Sequence, residues 1–416
     1  MARPALLADI RPLRQFPDYR RLWFGSALSS VGSQMTTFAV ALQVFRISHS
    51  SAAVGGVGLA VAVPAISVGL FAGVLVDSVD RRPLVLITSA TQALLSIAFA
   101  AQAFAGSGTL WLLYLLSALQ GGVGAVSAPA RRTFMPRLLP RELMPAGAAL
   151  SMISMYVAMI SGPALAGVVA ASGGLKTCYL VDAITFAGAL YPLFRLPPMR
   201  PEGETVRRNL SAIGDGLRFL VANRALRGAL LADLSAMVLA MPVALFPAIN
   251  AERFGGSPTT LGLLSTGLAV GGLTGSVLSG PVKHVARPGR AMLITGAIWG
   301  AALAGFGAAP DLALTLLMLA IAGAADVLSV VFRTTIVQLA TPDSMRGRVS
   351  STEIIVGGAF PQVGNFRAGL VANATTPGVS AVTGGLAAIA GAALIALSLP
   401  EFIRYRHADA QQPANR

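Results

Sequence analysis

Five ionisable residues interrupt the apolar runs of this chain, and each could carry chemistry. Asp182, Asp233, Asp326, Glu353 and Arg367 fall in stretches otherwise dominated by Ala, Val, Leu, Ile, Gly and Phe. A charge at the centre of a bilayer costs roughly 2.5–3.5 kcal/mol on insertion scales, so such residues usually serve a purpose. A carboxylate can take up and release a proton, and a guanidinium can hold an anion or neutralise an inner acid. Asp233 and Asp326 lie deepest in their runs and are the proton-coupling candidates. Asp182 and Glu353 lie nearer the ends of theirs, and read as snorkelling or capping groups. Arg333 follows Asp326 by seven residues on one helical face, which predicts an Asp326–Arg333 pair. Asp233 has no cation within one turn, so it is the favoured carrier. Gln34, Asn365 and Arg367 are the substrate-cavity candidates. The two amides fit interhelical hydrogen bonds equally well, and the arginine fits a reach to the outer headgroups.

These residues need helices that cross a membrane to position them. The chain has 416 residues, of which 55% are hydrophobic and 12% charged, with mean hydropathy +0.71. A soluble domain carries about 25% charged residues, so this composition belongs in a bilayer. Twelve apolar runs approach or exceed the length that spans a ~30 Å core. They cover Leu22–Val44, Ala53–Val76, Pro83–Phe104, Leu110–Ala130, Leu143–Ala171, Cys178–Phe194, Leu226–Ile249, Leu261–Gly280, Ala291–Gly307, Leu312–Val331, Val349–Ala372 and Val379–Leu399. The expected fold is an all-α membrane protein with twelve transmembrane helices in two six-helix halves.

The net charge of +14 falls in short segments between the runs. That is a topology signal, with anionic lipid headgroups rather than nucleic acid as the expected partner. With the N-terminus in the cytosol, 27 of the 31 lysines and arginines fall on cytosolic segments or their edges. Only Arg46, Lys176 and Arg253 fall outside, and Arg367 lies within a run. The positive-inside rule therefore puts both termini in the cytosol and the protein in the cytoplasmic membrane. No cleavable signal pattern precedes the first run, and the lone Cys178 excludes an internal disulfide.

The longest connection runs from Arg195 to Ala225 and opens with Pro197, Pro198 and Pro201. Leu210, Ile213, Leu217 and Leu220 recur in it at helical spacing, with Arg208, Asp215 and Arg218 between them. This predicts a short amphipathic helix on the cytosolic face, weakened by Gly214 and Gly216. The linker defines residues 1–194 as an N-terminal six-helix half, 195–225 as a cytosolic linker, 226–400 as a C-terminal half and 401–416 as a cytosolic tail. The halves look alike. Gly162-Pro-Ala-Leu-Ala-Gly167 aligns with Gly364-Asn-Phe-Arg-Ala-Gly369 at an offset of about 202, and Arg132-Thr133 aligns with Arg333-Thr334 within one residue of it.

The tightest turn runs from Gly69 to Pro83, where two acids and two arginines separate consecutive apolar runs. On spacing alone it is either a gate or a loop that fixes orientation. Gly73, Leu75, Asp77, Arg81 and Arg82 also match Gly-x-Leu-x-Asp-x-x-x-Arg-Arg, the helix 2–3 loop of the major facilitator superfamily. Asp80 stands where that signature usually has glycine. The Phe16–Trp23 and Ser30–Gln34 stretches are similar to the opening of one exporter branch. Gly162, Pro163 and Gly167 resemble the helix 5 packing motif of antiporters. Gly323–Asp326, Arg333-Thr334, Gln338 and Thr341–Arg348 resemble the end of helix 10 and the loop after it. The resemblance covers about Phe16 to Tyr405, and is most specific for the branch that resembles the siderophore exporter for enterobactin. It implies a cytosolic gate at Gly73, Asp77, Arg81 and Arg82, with Asp77 near the start of helix 11. In helix 4, Ser117 stands where many proton-linked drug exporters have arginine, so their coupling route does not carry over.

No phosphate loop is present, because Gly173-Gly174-Leu175-Lys176-Thr177 lacks the second glycine. No metal or nucleophile motif was found, so no catalytic residue, metal or cofactor is expected. The expected function is secondary transport that exports an amphiphilic small molecule, a siderophore or a drug in a multidrug sense, by proton antiport. The partners are that substrate, protons and lipid, and the chain acts as a monomer. A facilitative or uptake carrier of the same fold is the alternative. An intramembrane enzyme or passive structural protein fits less well, since neither needs two repeated halves.

Overall fold

The computed structural model describes residues 9–106, 108–196, 199, 211–280, 282 and 285–405. Side chains at 73, 74, 77, 211–213, 351, 354 and 355 lie outside that description. Helices and short turns make up the described residues, with no strand among them. The chain forms two compact units, one of Met1–Ile47 with Ala60–Arg208 and one of Ser48–Leu59 with Asn209–Arg416.

The first unit holds α1 (Arg11–Gln15), α2 (Pro17–Ser48), most of α3 (Ser51–Ser78), α4 (Arg81–Phe104), α5 (Leu110–Arg132), α6 (Met135–Leu138), α7 (Met144–Gly173) and α8 (Leu175–Arg195). The second holds the start of α3, then α9 (Ser211–Ala222), α10 (Arg224–Ala240), α11 (Phe246–Arg253), α12 (Pro258–Val277) and α13 (Pro288–Ala308). It continues with α14 (Leu312–Ala340), α15 (Arg346–Ala374), α16 (Pro377–Ser398) and α17 (Pro400–Arg404).

Ten helical segments among the described residues are long and apolar enough to cross a membrane. One of them joins α10 and α11 as Arg224–Arg253. The 32-residue α2 and 29-residue α15 are long enough but more polar: α2 carries Asp18, Arg20 and Arg21, and α15 carries Arg346, Arg348, Glu353 and Arg367. Large apolar side chains stand exposed along these helices, with Leu397 at 82% and Val277 at 75%, as a lipid-facing surface requires.

Local chemistry explains several boundaries. Asp80 N-caps α4 by accepting from the Arg82 N–H at 2.9 Å. The same oxygen accepts from the Met199 N–H at 3.1 Å, and the Met199 carbonyl accepts from the Arg81 N–H at 3.3 Å. Arg82 donates to the carbonyls of Leu193 and Phe194 at the end of α8. The aspartate that replaces the expected glycine thus ties the α3–α4 turn to the chain leaving α8. Because α3 ends at Ser78 and α4 begins at Arg81, Asp77 and Arg81 do not share one helix. The Gly73 and Asp77 side chains lie outside the described residues. So do Arg208, Leu210 and the Ile213 side chain, although α9 forms where the linker pattern predicts a helix.

Where α10 should continue, the helix breaks. Pro242 lacks an N–H, and Met241 before it adopts an extended conformation with ψ of 122°. A short 3-10 turn, Val243–Leu245, restarts the chain into α11. The apolar run across Leu226–Ile249 is therefore two helices, not one.

Candidate functional site

In the second unit, the polar centre joins α10, α14 and α15. The Arg333 Nη1 donates to Asp233 Oδ2 at 2.6 Å, a pair whose side chains are 17% and 6% exposed. This reverses the expected pairing. Asp326 makes no ion pair or hydrogen bond to a described residue and meets the Arg333 charge only at a distance, and Asp233 is the partnered acid. Seven residues along a helix span about 10 Å, too far for direct contact between Asp326 and Arg333. The α10 carboxylate instead approaches Arg333 from the side. Glu353 on α15 lines a small recess with Arg333, Leu226, Ala229, Val337 and Val356.

The break in α10 accounts for two of the cavity candidates. Asn365 Oδ1 accepts from the Ala244 N–H at 3.2 Å, beyond the break. Arg367 donates to the Leu239 carbonyl, before it. Both side chains satisfy backbone groups that the break at Pro242 leaves without helical partners, which gives each a structural task. The sequence hinted at this through Pro242 and Pro247, five residues apart, but apolar periodicity does not register a missing donor. Gln34 differs: its amide is partly exposed and makes no hydrogen bond to any described residue.

The first unit has its own polar interior between α2, α4 and α8. Asp182 is fully buried, and its Oδ2 accepts from Thr36 Oγ1 and Ser96 Oγ, each at 2.7 Å. Its Oδ1 has no partner. The expectation of an interfacial snorkelling group does not hold, because Asp182 sits inside the helix packing. One to two turns further along the same helices, Gln43 and Gln102 exchange two amide hydrogen bonds, and Tyr179 donates to Gln43 Oε1 at 2.7 Å.

Close packing of helix pairs repeats between the units. Gly162 lies so near Gln34 and the Val31 carbonyl that α7 must cross α2 there. Gly364 lies equally near Met237 and Met241, so α15 crosses α10. Pro163 and Gly167 are buried beside Gly162. The two aligned glycines thus serve equivalent helix crossings, as small residues do in membranes.

The family model for transmembrane secretion effectors matches residues 8–416. The chain belongs to this family of the major facilitator superfamily. It is similar to the enterobactin exporter EntS of Escherichia coli (strain SMS-3-5 / SECEC), at 28% identity over 100% of both chains. It is also similar to EntS of Citrobacter koseri, at 29% identity over 98% of this chain and 97% of that one. Among solved structures, the nucleoside transporter NupG superposes with a TM-score of 0.74 at 14% identity, covering 93% of this chain and 99% of NupG. A bacterial homologue of the iron transporter ferroportin in an inward-facing state superposes with a TM-score of 0.69 at 17% identity, covering 93% and 98%. The chain is a multi-pass membrane transporter, not an enzyme, and its helices follow the fold of facilitator transporters.

Proposed function

We propose that this transporter exports an amphiphilic small molecule of the siderophore class across the cytoplasmic membrane, by proton antiport. The observation that carries the reading is the end-to-end similarity to proteins named enterobactin exporters, which leaves no part of either chain unmatched in the first of them. We count α2 and α15 with the ten apolar segments to give twelve spans, in halves related by the Gly162 and Gly364 crossings. Both termini then face the cytosol, as the distribution of lysine and arginine requires. The chain works as a monomer in lipid, and Gly73, Asp77, Arg81 and Arg82 form its cytosolic gate.

For coupling we assign the proton to Asp326. Asp326 makes no hydrogen bond, and the nearby Arg333 is already clamped to Asp233, so the protein does least to support the Asp326 charge. Asp233, clamped by Arg333, holds the local structure instead. The test uses full-length protein in vesicles with an imposed pH gradient and enterobactin as cargo. Wild type should concentrate enterobactin against its gradient, and Asp326→Asn should lose that while keeping downhill exchange. Uphill transport by Asp326→Asn would move the proton to another site. Downhill movement alone by the wild type would make the protein a facilitative carrier.

A further inference from the structure

Arg131 ends α5 with its guanidinium turned into the first unit. Nη2 donates to Ser89 Oγ on α4 at 2.7 Å, Nη1 donates to Ser26 Oγ on α2 at 3.2 Å, and Nε donates to Ser127 Oγ on α5 at 3.2 Å. Ser89 and Ser127 are buried, and Arg131 itself is only partly exposed. All three partners are neutral hydroxyls. No carboxylate reaches Arg131 among the described residues, and the second hydrogens on Nη1 and Nη2 have no protein acceptor there.

The second unit shows how the same position is neutralised. Arg333 on α14 turns toward α10, as Arg131 on α5 turns toward α2. The partner of Arg333 on α10 is Asp233 at 2.6 Å, whereas the partner of Arg131 on α2 is Ser26. At the offset of 202 set by Gly162 and Gly364, Arg333 corresponds to Arg131, the buried arginine of the first unit, rather than to its exposed neighbour Arg132. Among the described residues, one unit therefore holds a guanidinium paired with a carboxylate and the other a guanidinium held by hydroxyls.

A partly buried cation without a counter-charge is costly, and serines solvate it without neutralising it. A guanidinium fork fits two oxygens of a carboxylate or phosphate best. We propose that Arg131, cradled by Ser26, Ser89 and Ser127, is a binding site for an anionic oxygen of the cargo. It would take a carboxylate or a comparable oxyanion on an otherwise apolar molecule. This deepens the export reading by naming the charge of the substrate, and it rests on that reading for the word cargo.

The test measures binding apart from transport. Purified full-length protein in neutral detergent is titrated with benzoate and, separately, with the neutral isostere benzamide, following thermal unfolding. Benzoate should stabilise the protein saturably and benzamide should not. Arg131→Gln should weaken benzoate by about tenfold or more, as expected for loss of a charge-assisted pair, and Ser89→Ala should weaken it less. Arg132→Gln should leave it unchanged. Arg131→Lys, which keeps the charge, supplies the comparison if Arg131→Gln does not fold, and should bind more weakly than wild type. A benzoate response equal in wild type and the Arg131 variants, an equal response to benzamide, or no saturable response overturns the site. Dihexanoyl-phosphatidylglycerol is titrated in parallel, and a response to it without one to benzoate would assign the site to lipid and overturn the cargo role. Because no step requires transport, the site can stand where export fails, and fail where export stands.

Discussion

At the scale of single residues, the ion pair is the lesson. The sequence shows which groups lie within apolar runs, and all five fall on long helices of the structure. It does not show which helices meet. Asp326 and Arg333 share a helix face, yet the carboxylate that reaches the guanidinium belongs to Asp233, 100 residues away in sequence. Removing one partner of a buried pair leaves an uncompensated charge, at a cost of about 3–5 kcal/mol. Arg333→Gln alone should therefore lower the thermal midpoint in detergent strongly. The double variant Asp233→Asn with Arg333→Gln should recover much of the loss. Additive losses would show that the pair carries no coupling. Asp182 poses a smaller question of the same kind. Its replacement by alanine deprives Thr36 and Ser96 of a shared buried acceptor, worth about 1–3 kcal/mol. Asp182→Asn keeps an acceptor and should lose less of the thermal midpoint. Equal losses would give the charge itself, rather than the acceptor, the structural role.

At the scale of helices, hydropathy located the segments and missed what interrupts one of them. The linker helix α9 was legible because its apolar residues recur at helical spacing. The break after Ala240 was not, since proline and its neighbours are as apolar as the helix they end. Once Pro242 removes a donor, Asn365 and Arg367 become intelligible as groups that satisfy backbone atoms on either side of the gap. The crossing that brings them there depends on Gly364, where any Cβ would collide with the Met237 carbonyl. Gly364→Ala should sharply reduce the yield of folded protein. Gly296→Ala, on a helix whose added Cβ would meet nothing within 4 Å, should be tolerated. Alanine also removes the flexibility cost of a helical glycine, about 0.5–1 kcal/mol, so Gly296→Ala should be neutral or slightly stabilising. Equal tolerance at both positions, read from yield and thermal midpoint, would refute a tight α10–α15 crossing.

At the scale of the molecule, the proposed two halves draw support from the aligned glycines and from two arginines in like places with unlike partners. The Arg131–Ser26 contact joins α5 to α2, and the Arg333–Asp233 pair joins α14 to α10. A repeat diverging at its charged positions would produce that pattern. The proposed orientation rests on a separate argument. With 27 lysines and arginines on one set of segments and three on the other, the reverse topology would move nearly all the basic side chains across the membrane. Position 106 follows α4, in a turn where Gly106 has φ of +62°, and position 410 lies in the C-terminal tail. The native Cys178 is fully buried, which keeps its thiol from confusing the signal. In intact cells, an impermeant thiol reagent should label Gly106→Cys and spare Ala410→Cys. After the membrane is opened, both should react. Labelling of Ala410→Cys alone in intact cells would invert the protein, and with it the direction in which any pH gradient could drive the cargo.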